Sequence, residues 1–430
     1  MNDGIVRYLA RQEPLKRPVH APDVKFVQNV VAIPVLAEND AVDACIASFA
    51  QNPRTYLDRT LLLFVVNNRA DALSEHKADN QRTLEKLRDR SAAIDVPRIA
   101  YIDAASPGHE LPAKQGVGLA RKLGLDWGLA LFHRSGVHNA ALCSADADTL
   151  VEPDYLEAIG GWRDKSDAWG AIVDFAHQPG ATPEEIRAIT EYELFLRYHV
   201  LGLASAGSPY AYHAMGSAMI CTPQAYAAVA GMARRQAGED FYFLQKLAKT
   251  GPIHRIDSTT VHPSARPSWR VPFGTGRRVT TRLREEGAPF LAYHPGSYAI
   301  LGAWLAHAGR HITEGTSPTK DAGAIAEPLA AFLEAQQFEP AWEQICRNAN
   351  SVPQRLAQFH RWFDAFRTLK LMHFLRDNGY TEWELPAAAT HLLESLSGEN
   401  AMPLDGATLH GLLAQARDCE GRLCGVAGIY

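Results

Sequence analysis

Two aspartates one residue apart, Asp146 and Asp148, follow the apolar run Ala141-Leu142-Cys143-Ser144 and precede Thr149-Leu150-Val151-Glu152-Pro153. At an irregular strand end both carboxylates can face one cation. Hard oxygen ligands suit Mg2+ or Mn2+, which bridge phosphate oxygens and neutralise charge on a departing diphosphate. The same residues also suit a solvated acidic turn or a helix cap ahead of Pro153.

Further along, His262-Pro-Ser-Ala-Arg266-Pro-Ser-Trp269-Arg270-Val-Pro-Phe273-Gly274-Thr-Gly276-Arg277-Arg278 sets four arginines among glycines, prolines and aromatics. Arg forks pair with phosphate oxygens, and Gly lets backbone amides approach the same oxygens. The stretch therefore reads as a diphosphate clamp led by Arg266 and Arg270, on a loop able to close over a ligand. A basic linker paired with Glu285 and Glu286 is the alternative. Glu239-Asp240, after Gly238, opens a predicted helix where one carboxylate suits the helix dipole.

The elements that must position these groups alternate. Short apolar runs at Val27–Leu36, Leu61–Val66, Arg98–Ile102 and Ala140–Ser144 end in polar tips, with helical patterns at Ala41–Gln51, Gln81–Arg90 and Gly116–Leu131 between them. That alternation predicts an α/β fold: a mostly parallel central sheet with helices on both faces. In such sheets a ligand lies outside the carboxyl ends of the strands, so Glu38, Asn67, Asp103 and Asp146 should converge. A strand Ala168–Phe175, a helix Pro183–Leu203, a strand Ala214–Cys221, a helix from Glu239 to Thr250 and a strand Ile253–Val261 are expected to complete this half. Gly216-Ser217 falls within one of those strands.

These landmarks in this order resemble the GT-A glycosyltransferases of the family 2 type. The resemblance rests on Ile33-Pro34-Val35-Leu36-Ala37-Glu38-Asn39, Val66-Asn67-Asn68, Lys114-Gln115-Gly116-Val117-Gly118-Leu119-Ala120-Arg121, Ser144-Ala145-Asp146-Ala147-Asp148, Gly216-Ser217 and Glu239-Asp240. It covers residues 27 to about 280. It implies a nucleotide-diphospho-sugar transferase fold, with Pro34, Glu38 and Asn67 contacting base and ribose and Lys114 and Arg121 on the donor side. Asp148 would be the nearest metal ligand and Asp146 would contact ribose and metal. The family commonly has Asp at the second strand tip, where this chain has Asn67-Asn68; an amide still hydrogen-bonds a uracil or guanine edge. Lys114, Arg121 and Lys122 would otherwise lie on a solvated helix face.

By the same resemblance Asp240, or else Glu239, is the base that takes the acceptor hydroxyl's proton, which implies inversion. Gly216, Ser217 and His213 fall on the acceptor side. Retaining members of the fold carry a metal-binding His well after the acidic turn, and His262 follows a β-branched run where it could complete the metal site as a neutral imidazole.

The chain's 430 residues exceed one hydrophobic core, so a catalytic domain at 26–283 and a helical domain at 284–430 are expected, after an exposed arm at 1–25. A composition of 47% hydrophobic and 21% charged residues with net charge −5 is globular and gives no broad footprint for nucleic acid. Six scattered cysteines without a Cys-x-x-Cys pair suit a reducing, cytoplasmic setting. The first residues lack a signal-peptide pattern, and no apolar run reaches the roughly 20 residues of a membrane span. In the helical half, breaks fall at Pro318, Pro340, Pro353, Gly379 and Pro403. There Leu356, Phe359, Trp362, Phe363, Phe366, Leu369, Met372 and Leu375 recur at helical spacing, as one amphipathic helix suited to core or homo-oligomer packing, or to peripheral contact with a membrane.

The expected activity is metal-dependent transfer of a sugar from a nucleoside-diphosphate sugar to a hydroxyl of a sugar, small-molecule or lipid-linked acceptor. A nucleotidyltransferase forming an activated sugar is a second reading; a non-catalytic scaffold that binds nucleotide-sugar is a third. Against the second, Pro34-Val-Leu-Ala-Glu38 lacks a Gly-rich cradle for a triphosphate.

Overall fold

Asn29–Val35 and Thr60–Asn67 are buried along their whole lengths, as strands covered on both faces must be. A computed structural model of the chain describes residues 3–12, 17–22, 26–92, 97–268, 274–285, 287–397 and 408–429. Its elements begin with α1 (Asp3–Ala10), β1 (Val19–His20), β2 (Asn29–Val35), α2 (Asn39–Ala50), α3 (Arg54–Leu57), β3 (Thr60–Asn67) and α4 (Ser74–Ala92). They continue with β4 (Arg98–Ala104), α5 (Val117–Ser135), β5 (Ala141–Ser144), β6 (Leu150–Val151), α6 (Tyr155–Arg163), β7 (Gly170–Phe175) and α7 (Pro183–Ser205). After these come β8 (Met219–Cys221), α8 (Pro223–Ala228), α9 (Glu239–Ala248), β9 (Ile253–His262) and α10 (Thr275–Arg284). The chain ends with β10 (Leu291–Ala292), α11 (Pro295–Glu314), α12 (Glu327–Ala335), α13 (Phe338–Asn348), α14 (Val352–Trp362), α15 (Ala365–Asp377), β11 (Trp383–Glu384), α16 (Leu385–Ser397), α17 (Leu409–Leu423) and β12 (Val426–Ala427).

The chain forms two compact units, residues 1–181 with 214–280, and residues 182–213 with 281–430. The boundaries read from composition, 26–283 and 284–430, do not separate α7 from the sheet; the structure groups it with the C-terminal helices. Its buried positions run almost all round, from Ala188 to Leu203, as befits a helix enclosed by others.

In the first unit the strands run β1-β4-β3-β2-β5-β8-β7-β9. Parallel pairs join β4, β3, β2 and β5, from Val35 opposite Val66 to Ala32 opposite Ser144. β8 is antiparallel to both β5 and β7. β9 lies parallel to β7 and pairs antiparallel with β6, Leu150 opposite His262. The mostly parallel, helix-flanked sheet anticipated from the alternating pattern is therefore present, and the ends of β2, β3, β4 and β5 share one edge.

Close packing of α5 on that sheet depends on two glycines. A Cβ at Gly124 would lie 2.8 Å from Ala32 Cβ, and one at Gly128 2.9 Å from Val30 Cγ1. Arg121 is three and seven residues ahead of them, on the same buried face, so the sheet contact carries its guanidinium to the strand ends.

Residues 1–25 are not an exposed arm where they are described. Tyr8 on α1 is buried; its hydroxyl donates to Asp126 Oδ1 at 2.7 Å and accepts from Lys122 Nζ at 2.6 Å. Lys122 also pairs with Asp126 at 2.8 Å, which is why it is buried and not on a wet face. Val19 and His20 add a strand to β4. Gly216 and Ser217 form a short 3-10 turn ahead of β8 and lie outside the strand expected there.

The second unit has its own apolar core, including Tyr198, Leu201, Tyr298, Trp304, Phe332 and Phe359. The long amphipathic helix expected there is two helices. Asp364 breaks it, capping α15 by accepting from Arg367 N at 3.0 Å. Pro340 and Pro353 sit in the first turns of α13 and α14, where proline is accommodated. Phe359, Phe363, Leu371, Met372 and Leu375 are buried within the unit's own core. Pro403 lies outside the described residues. All six cysteines are free, and among the described residues no helix is long and apolar enough to cross a membrane.

Candidate functional site

The acidic turn continues the alternation of β5. Ala145 and Ala147 point into the core, and the side chains of Asp146 and Asp148 point out, 39% and 21% exposed. Each carboxylate meets an arginine: Asp146 Oδ1 accepts from Arg121 Nη2 at 2.5 Å, and Asp148 Oδ2 from Arg266 Nε at 2.9 Å.

Arg121 is a buried tie. Its Nε donates to Glu239 Oε1 at 2.9 Å and its Nη1 to Ser144 Oγ at 2.6 Å, with 4% of the side chain exposed. The surrounding carboxylates outweigh burial and push its pKa further up, so the guanidinium stays charged. The solvated helix face, the alternative to a donor-side role for Arg121, is thus replaced by a buried one, and its three nitrogens are all held by protein groups.

That tie explains Gly216. A Cβ there would lie 2.4 Å from Arg121 Nη2 and 2.9 Å from its Cζ. A guanidinium pinned on several sides cannot retreat, so Gly216→Ala should destabilise the full chain by about 1–3 kcal/mol. Chemical denaturation would measure this; an unchanged midpoint would mean that Arg121 is free to move.

Glu239 and Asp240 open α9 after Gly238, whose φ of +71° suits glycine. Glu239 is buried and neutralised by Arg121. Asp240 is half-buried, and its Oδ1 accepts from Phe241 N at 2.8 Å. Burial first, then the negative charge of Glu239, pushes the Asp240 carboxyl up to about 7; Asp146 adds to the rise, while Arg121 and the Phe241 amide oppose it. Asp240 is thereby suited to exchange a proton near neutral pH.

On the other side of the acidic turn, Arg266 bridges Asp148 and Glu38 Oε1. These three line a cavity of about 360 Å³, with Asp40, Asp79 and Gln178 among the other walls. Neighbouring carboxylates outweigh burial and raise the pKa of Arg266.

The strand tips are fixed by amides. Asn67 Nδ2 donates to Val35 O at 2.9 Å and Val65 O at 3.1 Å. Asn80 donates to Asn67 O and to Asn68 Oδ1 and accepts from Ala37 N, whose φ is +52°. The donor group of Asn67 is thus engaged by backbone, away from any base edge. Pro34 is buried within β2, and Lys114, at φ +64°, stands exposed on the loop before α5.

His262 ends β9 beside the turn, but both ring nitrogens are engaged: Nδ1 with Ala176 O and Nε2 with Glu152 Oε1, each at 2.8 Å. Among the described residues no group of three or more His, Cys, Asp or Glu side chains is placed to hold a metal ion. The geometry therefore places Glu152, not Asp148, against His262. Gln178, which no motif marked, ties the region together by donating to Asp148 O at 2.9 Å and His262 O at 2.7 Å.

His213 belongs to the second unit, where its Nε2 meets Glu420 Oε1 at 2.8 Å. Glu420 also pairs with Arg197, itself paired to Glu193 at 3.0 Å, so His213 is held in a buried polar network within the second unit. Ser217 is buried beside Gly216. Arg277 and Arg278 are exposed on α10, and Arg270, Trp269, Phe273 and Glu286 lie outside the described residues.

No family model and no curated protein matches the chain. Among solved structures, it is similar to S. aureus TarS 1–349 in complex with UDP-GlcNAc, at 10% identity and TM-score 0.38, over 83% of this chain and 93% of that one. It is also similar to the mannosyltransferase PcManGT from Pyrobaculum calidifontis in complex with GDP-Man and Mn2+, at 16% identity and TM-score 0.36, over 91% and 95%. A third similarity is to GalNAc-T7 with UDP, GalNAc and Mn2+, at 13% identity and TM-score 0.34, over 73% and 55%.

Proposed function

We propose that the first unit transfers a sugar from a nucleoside-diphosphate sugar to an acceptor hydroxyl, with inversion. The observation that carries the reading is the linkage Asp146–Arg121–Glu239. It joins an outward-facing acidic turn, at the carboxyl ends of a parallel sheet, to a neighbouring carboxyl tuned to about 7.

Asp148 and Asp146 would hold Mg2+ or Mn2+. Their oxygens are of the hard type these ions prefer, and Arg266 already places a cation between Asp148 and Glu38. Such ions keep water and phosphate ligands, so two protein carboxylates suffice. Bound there, the ion would neutralise charge on the departing diphosphate.

Asp240, deprotonated, accepts the proton of the acceptor hydroxyl as that oxygen bonds to the anomeric carbon and the bond to the diphosphate breaks. Glu239, paired with Arg121, lies beside it, and with burial its negative charge is what keeps the Asp240 carboxylate basic. Glu38 and the cavity walls receive the nucleoside, and Arg266 pairs with phosphate oxygens.

A thermal-shift panel of nucleoside diphosphates and nucleotide-sugars, with and without Mn2+, tests this reading. The expected result is a rise in Tm with one base that needs Mn2+; at a hundred times Kd, binding adds about 2.7 kcal/mol. Indifference to every nucleotide would sink it.

A further inference from the structure

We propose that Arg266 is an exchangeable counter-ion: it holds the Asp148 and Glu38 carboxylates without metal and leaves them for the diphosphate, so that metal and nucleotide bind together. This rests on reading the acidic turn as the metal side of the site.

Glu38 follows β2 and Asp148 follows β5, neighbouring strands that converge at one edge. Two carboxylates so placed repel one another unless a cation lies between them. Arg266 supplies that cation. Its Nη2 reaches both groups and its Nε donates to the same Asp148 Oδ2. A divalent ion on Asp148 would compete for that oxygen and repel the guanidinium, so the two cations exclude each other.

The backbone that carries Arg266 need not move for the exchange. Gln178 clasps the segment through His262 O and Pro263 O, and Arg266 N donates to Ser264 Oγ at 3.2 Å. The side chain is 41% exposed at the cavity wall, so rotation about its own torsions suffices to carry the guanidinium off the two carboxylates. An arriving diphosphate offers a guanidinium planar, multiply charged oxygens, which replace the carboxylates it gives up. Metal and nucleotide then favour each other through a shared displaced residue.

Mn2+ titration of the full chain by electron paramagnetic resonance or calorimetry tests the exchange. Without nucleotide, Arg266→Gln should bind Mn2+ on the order of tenfold more tightly than the native chain. With UDP or GDP, the native chain should gain Mn2+ affinity more than the variant does. Arg88→Gln, the same charge change at an exposed remote site, should match the native chain.

If Arg266→Gln is no tighter for Mn2+ alone, or no tighter than Arg88→Gln, the counter-ion role is wrong. Asp148→Ala separates this from the wider reading. Mn2+ binding that survives Asp148→Ala overturns the metal assignment itself, as does a lack of Mn2+ binding by Arg266→Gln. Binding lost with Asp148→Ala but not tightened by Arg266→Gln overturns only the exchange.

Discussion

Asp240→Asn is expected to lower kcat by about a thousandfold with little change in donor affinity, because general-base catalysis typically contributes between 10² and 10⁴. The native kcat/KM should fall on the acid side with a pKa near 7, the value to which burial and Glu239 raise this carboxyl against Arg121 and with Asp146. The base works only when deprotonated, so activity is present above that pH and lost below it. The variant should lack this limb.

Stability carries the opposite sign. The folded carboxyl binds its proton more tightly than an unfolded aspartate with a pKa of about 3.9. Ionising it in place therefore costs nothing below about pH 4, progressively more up to about 7, and a constant amount above. Asp240→Asn removes that cost, so its Tm relative to the native chain should rise between pH 4 and pH 8. A variant with native turnover, or an acid limb that persists, would assign the base elsewhere.

Asp148→Ala should abolish Mn2+-dependent nucleotide binding and lower turnover by at least about a thousandfold, since metal stabilisation of a leaving diphosphate supplies several kcal/mol. The matching change at Asp146 should differ. Asp146 also neutralises buried Arg121, so Asp146→Ala removes a partner from a buried pair as well as a metal ligand. Asp148 meets Arg266 at a more exposed position, and Asp148→Ala should keep the native melting temperature within a few degrees. Equal loss of stability in both variants would contradict the different roles given to them.

The strand framework was legible because each central strand is buried on both faces and reads as an unbroken apolar run between polar tips. That framework put Glu38, Asn67, Asp103 and Asp146 at the strand tips; of these Asn67 is turned to backbone carbonyls and Asp103 accepts from Ala105 N and Ser106 N. What Arg121 does was less legible: the resemblance put it on the donor side and the alternative on a solvated helix face, whereas its guanidinium is a buried tie between Asp146 and Glu239. Its spacing from Gly124 and Gly128 was the available signal, because glycines three and seven residues on marked the face packed against the sheet.

Other features left weaker traces. Helix α1 is too short for periodicity to stand out, and the anchor is a single tyrosine hydroxyl meeting Asp126 and Lys122. The break at Asp364 is hidden because apolar spacing continues in phase across it. Gln178 and Glu152 carry no motif; only the fold shows that they meet Asp148 and His262. Asn67 illustrates the converse: its type suits a base edge, but strand pairing directs its amide to Val35 and Val65 carbonyls.

The most direct measurement of the central claim is product analysis with nucleotide-sugars, Mn2+ and an acceptor panel, for the native chain and Asp148→Ala side by side. Stoichiometric nucleoside diphosphate and glycosylated acceptor of inverted configuration are expected from the native chain, lost in chelator and in the variant. Pyrophosphate released from a nucleoside triphosphate and sugar phosphate, with no diphosphate from any nucleotide-sugar, would contradict it.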